Sequence, residues 1–311
     1  MSEDRVVVVG PNPAIEVSYF CERLLLSGQN DADIRVVPGG KGTNVARVVK
    51  ALGGDPILLT CLGGVFGEFI RRKLAEAGVY GAFVEHSHDV RLSTVIYEIG
   101  KPEATIVRSD GELLSTVTQS QFVKLVSEHV VGQRIVCIVG SLPKGFSCSV
   151  TEEICKLVKN RSCRAIVDVA GASLLSALKA SPFLVKGNLS EFSKSMSQDI
   201  TDSIAPERLL EILRTNGAQN AIITLGKYGW TAFIDGVRLR CRIDANLDGF
   251  DIGAGDAMTA ALAHGLSMGY CWQETLQFAT KVASASTYCR SSGEVAVEKI
   301  ESAPPCSIDT Y

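Results

Sequence analysis

The residues best placed for chemistry in this chain sit at four glycine-bearing turns. In GFDIGAGDAMTAALAHGLSMG, residues 249 to 269, Gly253, Ala254 and Gly255 lead into a run of alanine and other helix formers. Bare amides at such a helix entrance face whatever lies before them, and the helix dipole favours negative charge there, so the turn suits a transferring phosphate. Asp256 follows in the first helical turn. An acid in that place is commonly a cap or dipole partner, yet beside a phosphate cradle it can also orient and deprotonate an attacking hydroxyl.

The second turn, PGGKGTNVARVVKALGG at 38 to 54, also opens a helix. It lacks the GxxxxGK[ST] spacing of a Walker loop. Gly39 and Gly40 allow close backbone approach, Lys41 offers a cation, and Asn44 can donate to and accept from sugar hydroxyls. The third, FLVKGNLSEF, brings Lys186, Asn188 and Glu191 to the end of a strand, where a carboxylate near phosphates needs a divalent ion between them. The fourth, ITLGKYGW at 223 to 230, ends a strand in Gly226 and Gly229 and reads equally well as a hairpin turn.

These turns need elements to position them. Short β-branched runs (VVVV at 6 to 9, ILLT at 57 to 60, IVCIVG at 135 to 140, AIVDV at 165 to 169, FLVKG at 183 to 187, AIITLG at 221 to 226) alternate with helical stretches at about 44–52, 67–77, 151–160 and 206–216. Strands this apolar are covered on both faces, which predicts an α/β fold with a mainly parallel sheet flanked by helices and ligands at the strands' carboxyl ends. Two stretches, 14 to 37 and 82 to 108, are strand-like without intervening helices and predict a small β-sheet lid inserted into a single domain spanning 1–311. The tail from Glu301 to Tyr311 is expected to be loosely held.

Composition narrows the partners. With 31 lysines and arginines against 34 acids and a net charge of -3, no global field favours nucleic acid or an anionic membrane. No signal peptide and no apolar run of membrane-spanning length is visible, so a cytoplasmic protein is expected. The ten cysteines form no CxxC pair and read as reduced, mostly buried hydrophobes. His86 and His88, two apart, lack a third metal ligand nearby.

Taken in order, PNPAIE at 11 to 16, PGGKGTNVARVVKALGG, VGSLPKGF at 139 to 146, VDVAG at 167 to 171, PFLVKGNLSEF at 182 to 192, ITLGKYG and IGAGDAM at 252 to 258 resemble the PfkB, or ribokinase-like, family nearly end to end, most closely its 1-phosphofructokinase and tagatose-6-phosphate kinase branch. The resemblance implies a ribokinase-like core with a β lid, ATP and Mg²⁺ as cofactors, and a homodimer joined through the lids. It implies Asp256 as base, with the amides around Gly253, Ala254 and Gly255 as anion hole. Asn188 and Glu191 would act on Mg²⁺ and phosphate, with Lys186 opening that segment. Thr224, Gly226 and Gly229 would form the nucleotide turn, and the helix after Thr280 would wall the adenine. On the sugar side it implies Glu16, Gly40, Lys41 and Asn44, with Arg91 and Ser141 reaching a substrate phosphate.

An arginine can hold a phosphate bidentately, so Arg91 with Lys41 favours an acceptor that already carries phosphate, a ketohexose phosphate such as fructose 1-phosphate, fructose 6-phosphate or tagatose 6-phosphate. A kinase of an unphosphorylated sugar or nucleoside is the neighbouring alternative, and a non-catalytic nucleotide- or sugar-binding regulator the alternative of another class. Four positions depart from the family pattern: Glu16 stands where an aspartate is usual, Gly187 replaces a proline, Asp251 a threonine and Ala257 a serine.

Overall fold

The computed structural model describes residues 5–101, 104–132, 135–196, 204–243, 249–304 and 306–311. Its larger sheet has ten strands. In spatial order they are β14 (Cys306–Thr310), β13 (Val237–Ile243), β12 (Trp230–Ile234), β11 (Ala221–Thr224), β10 (Leu184–Asn188), β9 (Arg164–Asp168), β8 (Ile135–Val139), β1 (Val6–Val9), β4 (Pro56–Gly63) and β5 (Tyr80–His86). The run from β5 to β11 is parallel, and β12 to β14 add an antiparallel edge.

Every residue of β1, β4 and β8 is buried, as expected for strands covered on both faces. On one face pack α1 (Lys41–Ala51), α2 (Gly64–Glu76), α8 (Ala254–Ser267) and α9 (Trp272–Ser286), with Val45, Ile70, Ala260 and Val282 in the core. On the other pack α3 (Thr116–His129), α4 (Ser149–Asn160), α5 (Ala172–Leu178), α6 (Leu189–Met196) and α7 (Pro206–Thr215), with Phe122, Ile154, Leu174, Phe192 and Leu209. α8 is buried from Asp256 through Leu266. Its alanines let neighbouring helices approach, and an apolar circumference of this kind belongs at the centre of a domain.

A separate four-stranded sheet, in the order β3 (Asp33–Gly39), β2 (Ala14–Cys21), β6 (Arg91–Glu98) and β7 (Ala104–Arg108), leans over the carboxyl ends of the larger one. Two expectations need correction. The segment 82–86 belongs to β5, which pairs with β4 in the larger sheet, so the second sheet takes up only β6 and β7 of the stretch 82–108. Residues 306 to 310 are not loose but pair with Leu239 to Ile243 of β13.

Strand order runs outward from β1 in both directions, so the carboxyl ends of β1 and β8 flank a topological switch point where a crevice opens. Close approach of α1 to this point depends on two glycines. A Cβ at Gly42 would lie 2.7 Å from the Cα of Gly10, and one at Gly10 only 2.5 Å from that of Gly42. Gly42→Ala should therefore destabilise the fold by about 1–3 kcal/mol through overpacking. A urea midpoint equal to that of the wild type would show that α1 can move away freely.

Candidate active site

The crevice over the switch point is a cleft of about 890 Å³. All the residues singled out from sequence line it: Glu16, Gly40, Lys41 and Asn44; Arg91 and Ser141; Lys186, Asn188 and Glu191; Thr224, Gly226 and Gly229; and Gly253, Ala254, Gly255 and Asp256. Positions far apart in the chain meet because most lie near the carboxyl end of a parallel strand or the start of a helix, while Glu16 and Arg91 come from the second sheet and Gly226 and Gly229 from the turn between β11 and β12.

At the cleft's centre α8 begins. Gly253 caps it in a left-handed conformation (φ 95°), and a Cβ there would come within 3.0 Å of Ser292. The first helical bond is that of Ala257 N–H to Gly253 O (2.9 Å), so helix geometry leaves the amides of Gly255 and Asp256 without intrahelical acceptors. A Cβ at Gly255 would sit 3.1 Å from Lys186 Nζ, so the glycine keeps the cradle open.

Beneath the cradle lies a charge network. Asp168, at the end of β9 and 1% exposed, accepts from Lys41 Nζ (2.6 Å), Lys186 Nζ (2.9 Å) and Thr259 Oγ1 (2.7 Å). Lys186 Nζ also donates to Gly255 O (2.7 Å), and Lys41 Nζ reaches Glu191 Oε1 (3.4 Å). Burial alone would raise the Asp168 carboxyl, but the two lysines outweigh it and hold the group well below the usual carboxylate range. Lys41 is shifted the other way. Burial favours its neutral form, and Asp168, Asp256 and Glu191 overcome that to keep it protonated.

Asp256 accepts from Asn44 Nδ2 at 2.8 Å. Burial and then the nearby Asp168 push its carboxyl above the ordinary aspartate value, against the opposing pull of Lys41, Asn44 and Lys186. Such a shift suits a base that must accept a proton during reaction.

Asn188 and Glu191 form a reciprocal cap on α6: Glu191 N–H donates to Asn188 Oδ1 (2.8 Å) and Asn188 N–H to Glu191 Oε2 (3.2 Å). No group of three metal-ligating side chains occurs among the described residues. A single carboxylate at the rim fits an ion of the Mg²⁺ kind, which keeps its waters and rides on substrate phosphates.

At one end of the cleft, Gly226 to Tyr228 make a 3₁₀ turn between β11 and β12, so the hairpin alternative is correct and the same turn still lines the cleft. Gly229 is left-handed (φ 97°), and a Cβ there would meet Cys241 O at 2.2 Å. Thr224 Oγ1 donates to Gly187 O (3.4 Å). Thr280, Ala283, Ser284 and Thr287, on one face of α9 and just beyond its end, close that wall.

On the opposite side the second sheet turns Glu16, Arg91, Ser93, Val95, Ile106 and Arg108 toward the cleft. Arg91 Nη2 reaches Asn12 O (3.4 Å), and Asn12 Nδ2 donates to Ser141 Oγ (2.9 Å). Burial, then the neighbouring Arg108, lowers the Arg91 guanidinium's proton affinity, with Asp110 opposing. Lys41 is engaged by carboxylates, so the cation facing Arg91 is Arg108 rather than Lys41. Asp251 stands exposed at the rim, its carbonyl accepting from Ala254 N (3.2 Å).

A family profile described as pfkB family carbohydrate kinase matches residues 3–299. The chain belongs to this family. The 1-phosphofructokinase of Bacillus subtilis (strain 168) is 25% identical over 289 residues, covering 93% of this chain and 94% of the relative. Among solved structures, a possible 1-phosphofructokinase from Thermotoga maritima superposes with a TM-score of 0.88 at 19% identity, covering 99% of each chain. Phosphofructokinase-2 from Escherichia coli in complex with fructose-6-phosphate superposes at 0.84 with 24% identity, covering 96% of this chain and 97% of that one. The architecture is the ribokinase-like one, and the protein is a carbohydrate kinase.

Four residues of this PfkB kinase's cleft escaped the reading of the sequence: Asn12, Arg108, Asp168 and Ser292. Asp168 carried a usable signal, an acid closing an apolar strand at the ligand edge. Arg108 shares its sheet face with Arg91 only because Ser93 pairs with it. Ser292 gave no signal.

The Asp168 network sets a stability test. Its carboxyl is lower in the folded than in the unfolded chain, so its contribution is complete above the ordinary aspartate pKa of about 3.9 and is lost as pH falls from there. Asp168→Asn leaves the buried Lys186 and the partly exposed Lys41 short of their shared counter-charge and should cost roughly 3–5 kcal/mol at neutral pH. The variant should also lack that part of the acid decline, as followed by urea unfolding from about pH 5 down to about pH 2. Wild-type stability in the variant would refute the network's role.

Proposed function

We propose that the protein transfers the γ-phosphoryl group of ATP, as its Mg²⁺ complex, to a hydroxyl of a ketohexose phosphate such as fructose 1-phosphate, fructose 6-phosphate or tagatose 6-phosphate. The observation that carries the phosphorylated acceptor is the pair Arg91 and Arg108. They share one face of the second sheet, and among the described residues neither forms an ion pair. Two neighbouring guanidiniums with no carboxylate in ion-pair contact, Asp110 acting on Arg91 only from a distance, face the cleft across from Asp256 and suit a phosphate dianion.

In this reading Asp256 aligns the acceptor hydroxyl and takes its proton as the oxygen attacks phosphorus. The Gly255 and Asp256 amides hold the charge of the group in flight, and Lys41 and Lys186 balance it from below. Asn188 and Glu191 at the rim would hold Mg²⁺, which when bound would supply neutralisation of phosphate charge. The second sheet acts as a lid that excludes water from the reacting groups.

The sheet's outer face exposes Ile34, Val36, Leu92 and Val107, which share a side by strand register and suit burial against a second copy, giving a homodimer joined through the lids. Ten free cysteines suit a reducing compartment such as the cytoplasm.

A coupled ADP-release assay with Mg-ATP should give turnover on one of the three phosphosugars and far less on free sugars. Asp256→Asn should lower kcat by about 10²–10⁴, while leaving the unfolding temperature at pH 7.5 equal or higher, because it removes a buried charge whose pKa is raised. For the wild type, kcat/KM should fall on the acid side through a value above the ordinary aspartate pKa of about 3.9. Arg91→Ala should raise KM for the phosphorylated acceptor by roughly 10–100-fold, the worth of a charged hydrogen bond. An unchanged KM there sinks the phosphorylated-acceptor reading. Sedimentation of Ile34→Glu/Val36→Glu should show monomers where the wild type shows dimers; a wild type that is itself monomeric contradicts the interface.

A further inference from the structure

We infer that Ser292 is a positioning residue that couples occupancy of the acceptor site to alignment of Asp256, by sharing one hydroxyl proton between Glu16 and Asn44. The inference rests on the kinase reading above. Ser292 lies in the loop after α9, 4% exposed, and its Oγ stands 2.5 Å from Glu16 Oε2 and 3.2 Å from Asn44 Oδ1. Its backbone N–H donates to Glu16 Oε1 at 3.2 Å, to which Ser18 Oγ also donates at 3.4 Å. Asn44 passes the chain onward through Nδ2 to Asp256 Oδ2. Glu16, Asn44 and Asp256 are all buried, so these are desolvated contacts.

The orientation of Asn44 is fixed by chemistry. An ionised Asp256 can only accept, so the amide nitrogen faces it and Oδ1 faces Ser292. A serine hydroxyl has one proton, and here it has two acceptors. With the acceptor site free, the shorter, charge-assisted bond to Glu16 holds that proton. A sugar hydroxyl donating to Glu16 competes for the same carboxylate oxygen and frees Ser292 Oγ to turn to Asn44 Oδ1. Donation there polarises the amide and strengthens its Nδ2–H bond to Asp256, since linked hydrogen bonds reinforce one another. The base is then held firmly when an acceptor is present and loosely when it is absent, which disfavours transfer to water.

The local structure is built for this contact. Gly293 is left-handed (φ 70°), and a Cβ there would lie 2.9 Å from Asn44 Cα, Asn44 Oδ1 and Arg47 Nη1, so only glycine lets the loop come this close to α1. Arg47 Nη1 donates to Ser292 O (3.0 Å) and Pro38 O (3.2 Å), tying the loop to the strand that precedes α1. The length of Glu16 also matters: an aspartate from the same Cα would stop one bond short of Ser292. The departure at position 16 and the serine at 292 therefore form one unit.

Ser292→Ala, Ser292→Thr and Ser292→Cys would be compared with the wild type for unfolding temperature, kcat, KM for ATP and for the phosphosugar that turns over, and ADP release without acceptor. The alanine variant should lose roughly 10–100-fold in kcat, the scale of a small misplacement of a reacting group, with KM for ATP unchanged. Its ratio of acceptor-dependent to acceptor-free ADP release should fall by the same factor. Threonine should recover most of the loss, and cysteine, which keeps the volume with a weaker donor, should fall between and replaces alanine in the comparison if the alanine variant does not fold. Glu16→Gln combined with Ser292→Ala should cost less than the product of the two single effects. Wild-type kcat and release ratio in the alanine or cysteine variant overturn the coupling alone. A wild type without acceptor-dependent turnover on any phosphosugar overturns the kinase reading and the coupling with it.

Discussion

The interaction on which the site depends is the shared bond of Asp168 to Lys41 and Lys186. It joins the end of β9 to the start of α1 and the end of β10, and through Lys186 and Thr259 it reaches the first turn of α8. Buried charges are tolerated only when paired and hydrogen-bonded. Two lysines face Asp168, Asp256 and Glu191 here, so the cluster's positive charge is already compensated in the absence of phosphate. A carboxylate that held both lysines fully would leave them little attraction to spare for a transferring group. Glu191 and Asp256 moderate this by drawing on Lys41 from other directions.

The backbone keeps this cluster usable. Gly10 and Gly42 bring α1 onto β1, Gly253 turns the chain into α8, and Gly255 keeps a side chain out of the space in front of Lys186. The second sheet then adds what the core lacks, two guanidiniums that form no ion pair among the described residues and the longer Glu16. Phosphoryl-transfer catalysis rests on positioning and electrostatics rather than on covalent chemistry by the protein. In the proposed reaction the core would place cations and amides below the reacting atoms, and the sheet would place the acceptor from above.

Much of this was legible in the sequence because it is local. A glycine turn before an alanine-rich run and fully apolar strands are properties of short segments, and the parallel core follows from their alternation. What was not legible is non-local. Tyr80–His86 has the alternating look of a half-buried strand, and nothing in it says whether its partner is β4 or the second sheet. Pro304 and Pro305 suggested a loose tail, yet the five residues after them complete the sheet's edge. The assignment of Lys41 to a substrate phosphate missed Asp168 because a strand-ending acid gains its meaning only from the two lysines that two other elements bring to it. Asn188 and Glu191 show the converse. Their spacing is that of a helix cap as well as of a metal and phosphate element, and the structure uses it as a cap while leaving the glutamate at the cleft.

The central claim is that one cleft joins a nucleotide phosphate to an acceptor already carrying phosphate. Phosphorus-31 NMR of a reaction of Mg-ATP with the ketohexose phosphates tests it most directly. ATP should be consumed one for one with the appearance of ADP and a sugar bisphosphate showing two monoester signals. ADP accompanied by inorganic phosphate, with the sugar phosphate signal unchanged, would contradict it.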